Sequence, residues 1–247
     1  MSRIKSGYNL RMSRKRIPPD DRRQTSKYFK PIPTPDKNKR IDDAFYHVGC
    51  QKTAKSLLGM TIARRLGGTT LRCKIVEVEV YTADDKSSHS YNLKQTKRNE
   101  AMFMKAGTLY VYMTYGMYYC MNISSAGKGD AVLLRAAEPL EGFEIMQENR
   151  AKSTSEKQKK NVTNGPSKLC QALAITKEQD KLDLSTSEEM WLEIGTAVNE
   201  NEIITCKRIG LNEKRSGDWA LKPLRFYIYG NPYVSFKDKL KENNRKI

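Results

Sequence analysis

The sequence predicts an α+β fold, a single mixed domain, and three observations predict it. Runs of β-branched and aromatic residues mark strands; the richest, residues 109–122, has Tyr115-Gly116 at its centre and reads as a projecting β-hairpin. Short apolar segments stopped by glycine mark flanking helices. The 247 residues leave room for one substantial core plus tails.

In chain order, residues 1–42 read as a disordered basic tail and residues 43–247 as the domain. Residues 1–40 carry 13 Lys and Arg against 3 Asp, so ten of the net +17 charges fall in the first sixth of the chain. Pro18, Pro19, Pro31, Pro33 and Pro35 break any helix there, and periodic apolar residues are absent. Arg14-Lys15-Arg16 and Lys37-Asn38-Lys39-Arg40 fit nuclear localisation clusters and equally fit non-specific affinity for DNA.

Order is expected from about Phe45. Val48, Ala54, Leu57 and Leu58 fit a short helix stopped by Gly59, a strand follows over residues 60–66, and Gly67-Gly68 turns the chain. In the next strand, alternation puts Val76, Val78 and Val80 on one face and Glu77, Glu79 and Tyr81 on the other. Paired carboxylates at i and i+2 often mean only a solvated face. Here Tyr81 lies beside them and His89 follows in the next loop, so a general base is the competing reading.

Thr96 is a candidate N-cap for a helix running to Gly107, rimmed by Lys94, Lys97, Arg98 and Lys105, a set suited to phosphates. The hairpin then brings five tyrosines in fourteen residues, with Tyr110 and Tyr112 on one face and Tyr118, Cys120 and Asn122 sharing another. Core packing explains strand tyrosines; Tyr115, at the turn, buries nothing in its own domain, and in so basic a chain suggests stacking on bases. Residues 131–136 form a strand interrupted by Arg135, whose expected partner is Glu79. Helices are expected over 141–150 and from Pro166 to about Ala174, with a Lys/Ser/Thr-rich loop over 151–163 between them. Further strands are expected over 191–194, 203–209 and 225–229, and the last ten residues read as a charged tail.

The charge excess, with a sequence pI of about 9.6, favours a polyanionic partner. No apolar run approaches the ~20 residues of a membrane span. The five cysteines are scattered without a C-x-x-C pair, and only two histidines are present, which argues against zinc and for a reducing compartment. No phosphate-binding loop motif occurs: Gly127-Lys128-Gly129 lacks the rest of one.

These stretches together resemble the alkyladenine DNA glycosylases, over roughly residues 43–236. The resemblance rests on Glu77-Val78-Glu79-Val80-Tyr81, Gly107-Thr108-Leu109-Tyr110-Val111-Tyr112, Tyr115-Gly116-Met117-Tyr118, Cys120-Met121-Asn122-Ile123-Ser124-Ser125, Leu133-Leu134-Arg135-Ala136, Gly165-Pro166-Ser167-Lys168-Leu169 and Lys222-Pro223-Leu224-Arg225-Phe226-Tyr227. It implies a curved antiparallel sheet with a protruding hairpin, no cofactor and no metal. It implies a monomer that acts on damaged double-stranded DNA in the nucleus, flips alkylated or deaminated purines and leaves an abasic site.

On the resemblance, Glu79 is the general base and Arg135 helps hold its water. Tyr81 and Tyr112 sandwich the extruded base, His89 reads its edge, and Asn122 crowds the amino group of guanine. Tyr115 fills the gap left in the duplex, with Met117, Thr96 and Arg98 as further DNA contacts; Glu77 is expected to matter much less than Glu79. Two departures stand out: the loop from Tyr81 to His89 is one residue shorter than in animal members, and Lys97 replaces a proline. The competing reading is a catalytically silent damaged-DNA-binding protein, which would keep the tyrosines but need not keep Glu79 and Arg135.

Overall fold

The computed structural model describes residues 38–150 and 161–244. The greater part of the basic tail and of the Lys/Ser/Thr-rich loop therefore lies outside the described residues.

Alternation builds the sheet. Its strands are β1 (Thr61–Leu66), β2 (Thr69–Tyr81), β3 (Leu109–Thr114), β4 (Tyr118–Ser124), β5 (Ala131–Glu141), β6 (Met190–Glu193), β7 (Ile203–Cys206) and β8 (Arg225–Ile228). They form one open, antiparallel eight-stranded sheet in the order β3-β4-β5-β2-β1-β6, with β8 joining β7 to β2. The 13-residue β2 is its spine. β5 pairs along one side of it, while β1 and then β8 share the other.

Residues alternate between two environments on four adjacent strands. Val78 and Val80, Leu109 and Val111, Met121 and Ile123, and Val132 and Leu134 join one apolar core. Their intervening neighbours, Glu79 and Tyr81, Tyr110 and Tyr112, Cys120 and Asn122, and Leu133 and Arg135, therefore point to the opposite face. α1 (Cys50–Leu57) and α3 (Pro166–Ala172) contribute Cys50, Ala54, Leu57, Leu169, Cys170 and Ala172 to the same core. In α1 the buried residues Cys50, Thr53, Ala54 and Leu57 follow helical spacing. Gly59 ends that segment at φ +85°, and a Cβ there would stand 2.0 Å from the Thr196 carbonyl oxygen.

The valine face expected in β2 is split. Register shifts on either side of Glu77 insert an extra residue, so Val76 packs with Ala136, Ile204, Cys206, Tyr227 and Val234 rather than with Val78 and Val80. The expected helix from Thr96 is only a 3-10 turn, Glu100–Phe103. Thr96 does not cap it. The Asn99 carboxamide instead accepts from the Thr96 N–H at 2.7 Å and donates to the His89 and Lys94 carbonyls at 2.8 and 2.9 Å.

Other boundaries shift for local reasons. β5 runs on to Glu141, and Gly142 at φ +79° delays the next helix, α2, to Phe143–Asn149. β7 stops at Cys206, because residues 207–211 leave the sheet, and Ile209–Leu211 come to line the cavity described below. α4 (Glu213–Ser216) and α5 (Lys239–Asn243) are short, the latter within the expected charged tail. At the other end, the fold reaches back before residue 43. The Ile41 N–H donates to Leu192 O at 2.9 Å, Ile194 N–H donates to Lys39 O at 2.7 Å, and Ile41 is buried, so this segment covers the edge of β6.

Candidate active site

The cavity-facing residues of β2 to β5 surround a space of about 280 Å³. Tyr81, His89, Tyr110, Tyr112, Cys120, Asn122 and Arg135 line it, with Tyr115 at the rim, Pro166 and Ser167 from the start of α3, and Ile209, Gly210 and Leu211 from the loop after β7.

Behind three of these lining residues, Tyr81, Arg135 and Ile209, lies Glu79, with no solvent exposure. One carboxylate oxygen accepts the Ile209 N–H at 2.8 Å and faces Arg135 Nη1 at 3.2 Å. The other accepts the Tyr81 hydroxyl at 2.9 Å. Burial and the neighbouring Glu79 charge push the Tyr81 phenol well above its ordinary range, so it stays a donor. A carboxylate has about four acceptor positions. Two are taken by hydrogen bonds and Arg135 faces the carboxylate as an ion pair, which leaves acceptor capacity for a further donor such as water.

Arg135 does more than pair with Glu79. Its Nε also donates to Glu77 at 3.1 Å, so one guanidinium spans both carboxylates. Burial opposes its charge, but the two carboxylates outweigh that and raise its pKa. Glu77 is equally buried and receives Arg225 Nη1 at 2.8 Å, the Ser235 N–H at 2.6 Å and the Ser235 hydroxyl at 2.9 Å. It is no solvated spectator. The bulge in β2 turns it to this four-donor nest, where it fixes Arg135 from behind.

The walls are aromatic. Tyr81 bears Arg208 stacked 4.5 Å from its ring centroid, and that buried arginine ion-pairs with Asp85 and donates to Val80 O and Trp219 O at 2.8 and 3.0 Å. Opposite, Tyr110 and Tyr112 lie 5.3 Å apart, and His89 meets Tyr112 edge-on at 4.6 Å. His89 Nδ1 and the Tyr110 hydroxyl are 2.8 Å apart. The histidine keeps an edge open to solvent, yet crowding of the rest of its ring, with the charge of Arg98 nearby, lowers its pKa to about 4. It is therefore neutral near pH 7, able to donate from one nitrogen and accept at the other. Asn122 is buried across from Tyr110, with Nδ2 on the Tyr110 carbonyl at 3.1 Å.

The hairpin carries the remaining candidates. Tyr115 is 89% exposed, at a turn where both it and Gly116 have positive φ, +51° and +69°, closed by Met117 N–H to Thr114 O at 3.3 Å. Met117 is also exposed. Arg98 reaches the hairpin, donating to Met113 O at 3.2 Å with its guanidinium 5.4 Å from the Tyr112 centroid. Thr96 is exposed on the same loop and does not line the cavity; neither do Arg98 and Met117.

Three participants escape sequence reasoning. Ile209 acts through its backbone N–H, which leaves no side-chain signature. Arg208, in Lys207-Arg208, looks like surface charge. Glu77 looks solvated until the bulge is known.

Comparison with known proteins agrees with this layout. The sequence profile of methylpurine-DNA glycosylase (MPG) matches residues 44–232. The DNA-3-methyladenine glycosylase of Homo sapiens is 47% identical over 213 residues, covering 83% of this chain and 71% of that protein. A probable DNA-3-methyladenine glycosylase of Encephalitozoon cuniculi (strain GB-M1) is 45% identical over 201 residues, covering 81% and 94%. A putative 3-methyladenine DNA glycosylase of Clostridium perfringens (strain SM101 / Type A) is 43% identical over 209 residues, covering 80% and 100%. With the profile spanning most of the described domain and these relatives at least 43% identical over 71% or more of their own length, the chain belongs to the methylpurine-DNA glycosylase family.

Proposed function

We propose that the protein is a monofunctional glycosylase that extrudes an alkylated or deaminated purine, such as 3-methyladenine, 7-methylguanine or hypoxanthine, from duplex DNA. It hydrolyses the N-glycosidic bond and leaves an abasic site. One observation carries the reading: a buried carboxylate, held by two hydrogen bonds and the Arg135 ion pair and with an acceptor position left for a water, lies under an aromatic cavity.

Glu79 takes a proton from a water in that position as the water oxygen bonds to C1′ of the sugar. The C1′–N bond breaks, and its electron pair leaves with the base. Arg135 orients Glu79 and stabilises the charge around it. A base inside the duplex stack is out of reach of any such carboxylate, so it must first be flipped. Tyr81 on one side and Tyr112 on the other then hold it by stacking. Neutral His89 reads its edge, and Asn122 crowds an exocyclic amino group such as that of guanine. Tyr115, exposed at the hairpin tip, fills the vacated place and offsets part of the unstacking cost of a few kcal/mol. Among the described residues lining the cavity none is a lysine, which supports hydrolysis without strand cleavage. Action in the nucleus belongs to the same proposal and rests on the basic clusters near the N-terminus.

The deciding experiment is Glu79→Gln. The amide keeps the shape but cannot take the proton, so single-turnover excision of hypoxanthine from duplex DNA should fall at least ~10²-fold. Binding to the lesion duplex should persist. Glu144→Gln, exposed on α2, is the control; Glu77→Gln is unsuitable, because it would leave Arg135 and Arg225 short of a buried partner. Equal activity of Glu79→Gln and wild type would place the base elsewhere. A wild-type protein that binds the lesion and never releases a base would favour the silent binder.

A further inference from the structure

Each stacking wall of the cavity already carries a cation. Arg208 lies 4.5 Å from the Tyr81 centroid and Arg98 lies 5.4 Å from the Tyr112 centroid. Neither is among the residues that line the cavity, where a stacked base would meet these rings.

The two differ in compensation. Arg208 is buried and ion-paired with Asp85, so the pair is neutral as a unit. Arg98 is exposed and its neighbours are neutral, the Met113 carbonyl that accepts from it and the Tyr110 phenol; among the described residues no carboxylate pairs with it. Its field reaches the cavity, since it adds to burial in lowering the pKa of His89.

An aromatic face attracts cations through its quadrupole. A second cation on the opposite face gains the same attraction but is repelled by the first across roughly 9 Å, the 5.4 Å observed here plus a stacking distance of about 3.5 Å. A neutral base feels no such repulsion.

Resting on the reading of this cavity as a base pocket, we propose that Arg98 sets its charge selectivity. By holding the outer face of Tyr112, Arg98 cancels much of the cation–π advantage that a positively charged methylated purine would have over a neutral purine. The site thereby takes cationic and neutral bases on comparable terms. Arg98 is a specificity-determining residue that acts through Tyr112 and need not touch the base.

The test compares excision of 7-methylguanine, which is cationic, with excision of hypoxanthine, which is neutral, from otherwise identical duplexes. Rates at limiting enzyme are measured for wild type, Arg98→Gln and Arg98→Lys. Any contact of Arg98 with a phosphate contributes equally to both substrates and cancels in the ratio; the crowding by Asn122 falls on 7-methylguanine alone, but it is the same in all three proteins and cancels when their ratios are compared. Arg98→Gln should raise the ratio of 7-methylguanine to hypoxanthine excision by about threefold to tenfold, the range left for an exposed charge after solvent screening. Arg98→Lys, which keeps the charge, should stay within about twofold of wild type. If Arg98→Gln slows both substrates equally, the proposal is overturned and Arg98 is a backbone contact. Wild type that excises neither base would instead overturn the glycosylase reading on which the proposal rests.

Discussion

Tyr81 serves two sides of the chemistry at once. Its ring forms a cavity wall, and its hydroxyl donates to Glu79 at 2.9 Å. A hydrogen bond to a charged group is worth about 1.5–3 kcal/mol, and this one holds the carboxylate proposed as the general base. Tyr81→Phe keeps the wall and deletes the donor. The carboxylate then loses one of its two hydrogen-bond donors, so single-turnover excision should slow by about tenfold or more, with lesion binding within about twofold of wild type. An unchanged rate would show that the hydroxyl is incidental. The pH profile of excision should show no limb from His89 above pH 5, since its pKa is lowered to about 4. Glu79, Tyr81 and Arg135 were legible because period-two alternation puts charge and aromatics where a core face is excluded. The Ile209 N–H was not, because any residue can supply one. Glu77 was misjudged because alternation says which side of a strand a residue leaves by, and not what covers that side.

The hairpin is the element whose sequence and conformation agree most closely. Alternating residues fill β3 and β4, their register pairs Tyr110 with Asn122 and Tyr112 with Cys120, and the turn has positive φ at both central positions. Gly116 adopts that conformation freely, while Tyr115 does so at a cost of about 1–2 kcal/mol. A costly conformation that exposes an aromatic ring, with no packing return inside the fold, is the pattern expected of a residue kept for a partner. The edge of β3 is itself covered: Val111 N–H donates to Asp180 at 2.8 Å, Lys177 donates to Val111 O at 2.8 Å, and Leu109 exchanges bonds with Leu182 and Lys181. The hairpin base is therefore tied on its outer edge while its tip is exposed. Tyr115→Ala should leave the melting temperature within about 2 °C of wild type, since the ring is exposed. Affinity for abasic-site duplex should drop about tenfold, from a lost stacking contact of about 1–3 kcal/mol, and excision should slow. Unchanged affinity and rate would remove the tip from the DNA interface. The helix expected after Thr96 failed for an equally local reason. Its Met102 and Phe103 do form an apolar turn, but Asn99 spends its side chain tying three loop backbones together, which holds Arg98 beside the hairpin rather than on a helix face.

At the scale of the whole chain, charge separates what the fold needs from what binding uses. Residues 1–37 hold 11 Lys and Arg against 3 Asp, a net +8 of the +17. Composition makes that asymmetry legible, but it places the start of the fold a few residues too late. Lys39–Ile41 belong to the sheet, where they cover β6, and Arg40 donates to the Leu184 carbonyl at 2.9 Å instead of standing free in a basic cluster. The distinction can be measured. Deleting residues 1–37 removes charge without touching β6 or any cavity residue, so the single-turnover rate at saturating enzyme should hold within about twofold. Non-specific DNA affinity should fall, and the slope of its logarithm against the logarithm of salt concentration should become shallower, because fewer counterions are released on binding. Extending the deletion to residue 41 exposes the β6 edge and removes the buried Ile41 side chain, worth about 1.5–3 kcal/mol. That longer deletion should lower the melting temperature by several degrees, where the shorter one should not. Equal melting temperatures for the two deletions would place the start of the folded domain after Ile41, and loss of the chemical step in the shorter one would make the tail part of the catalytic unit.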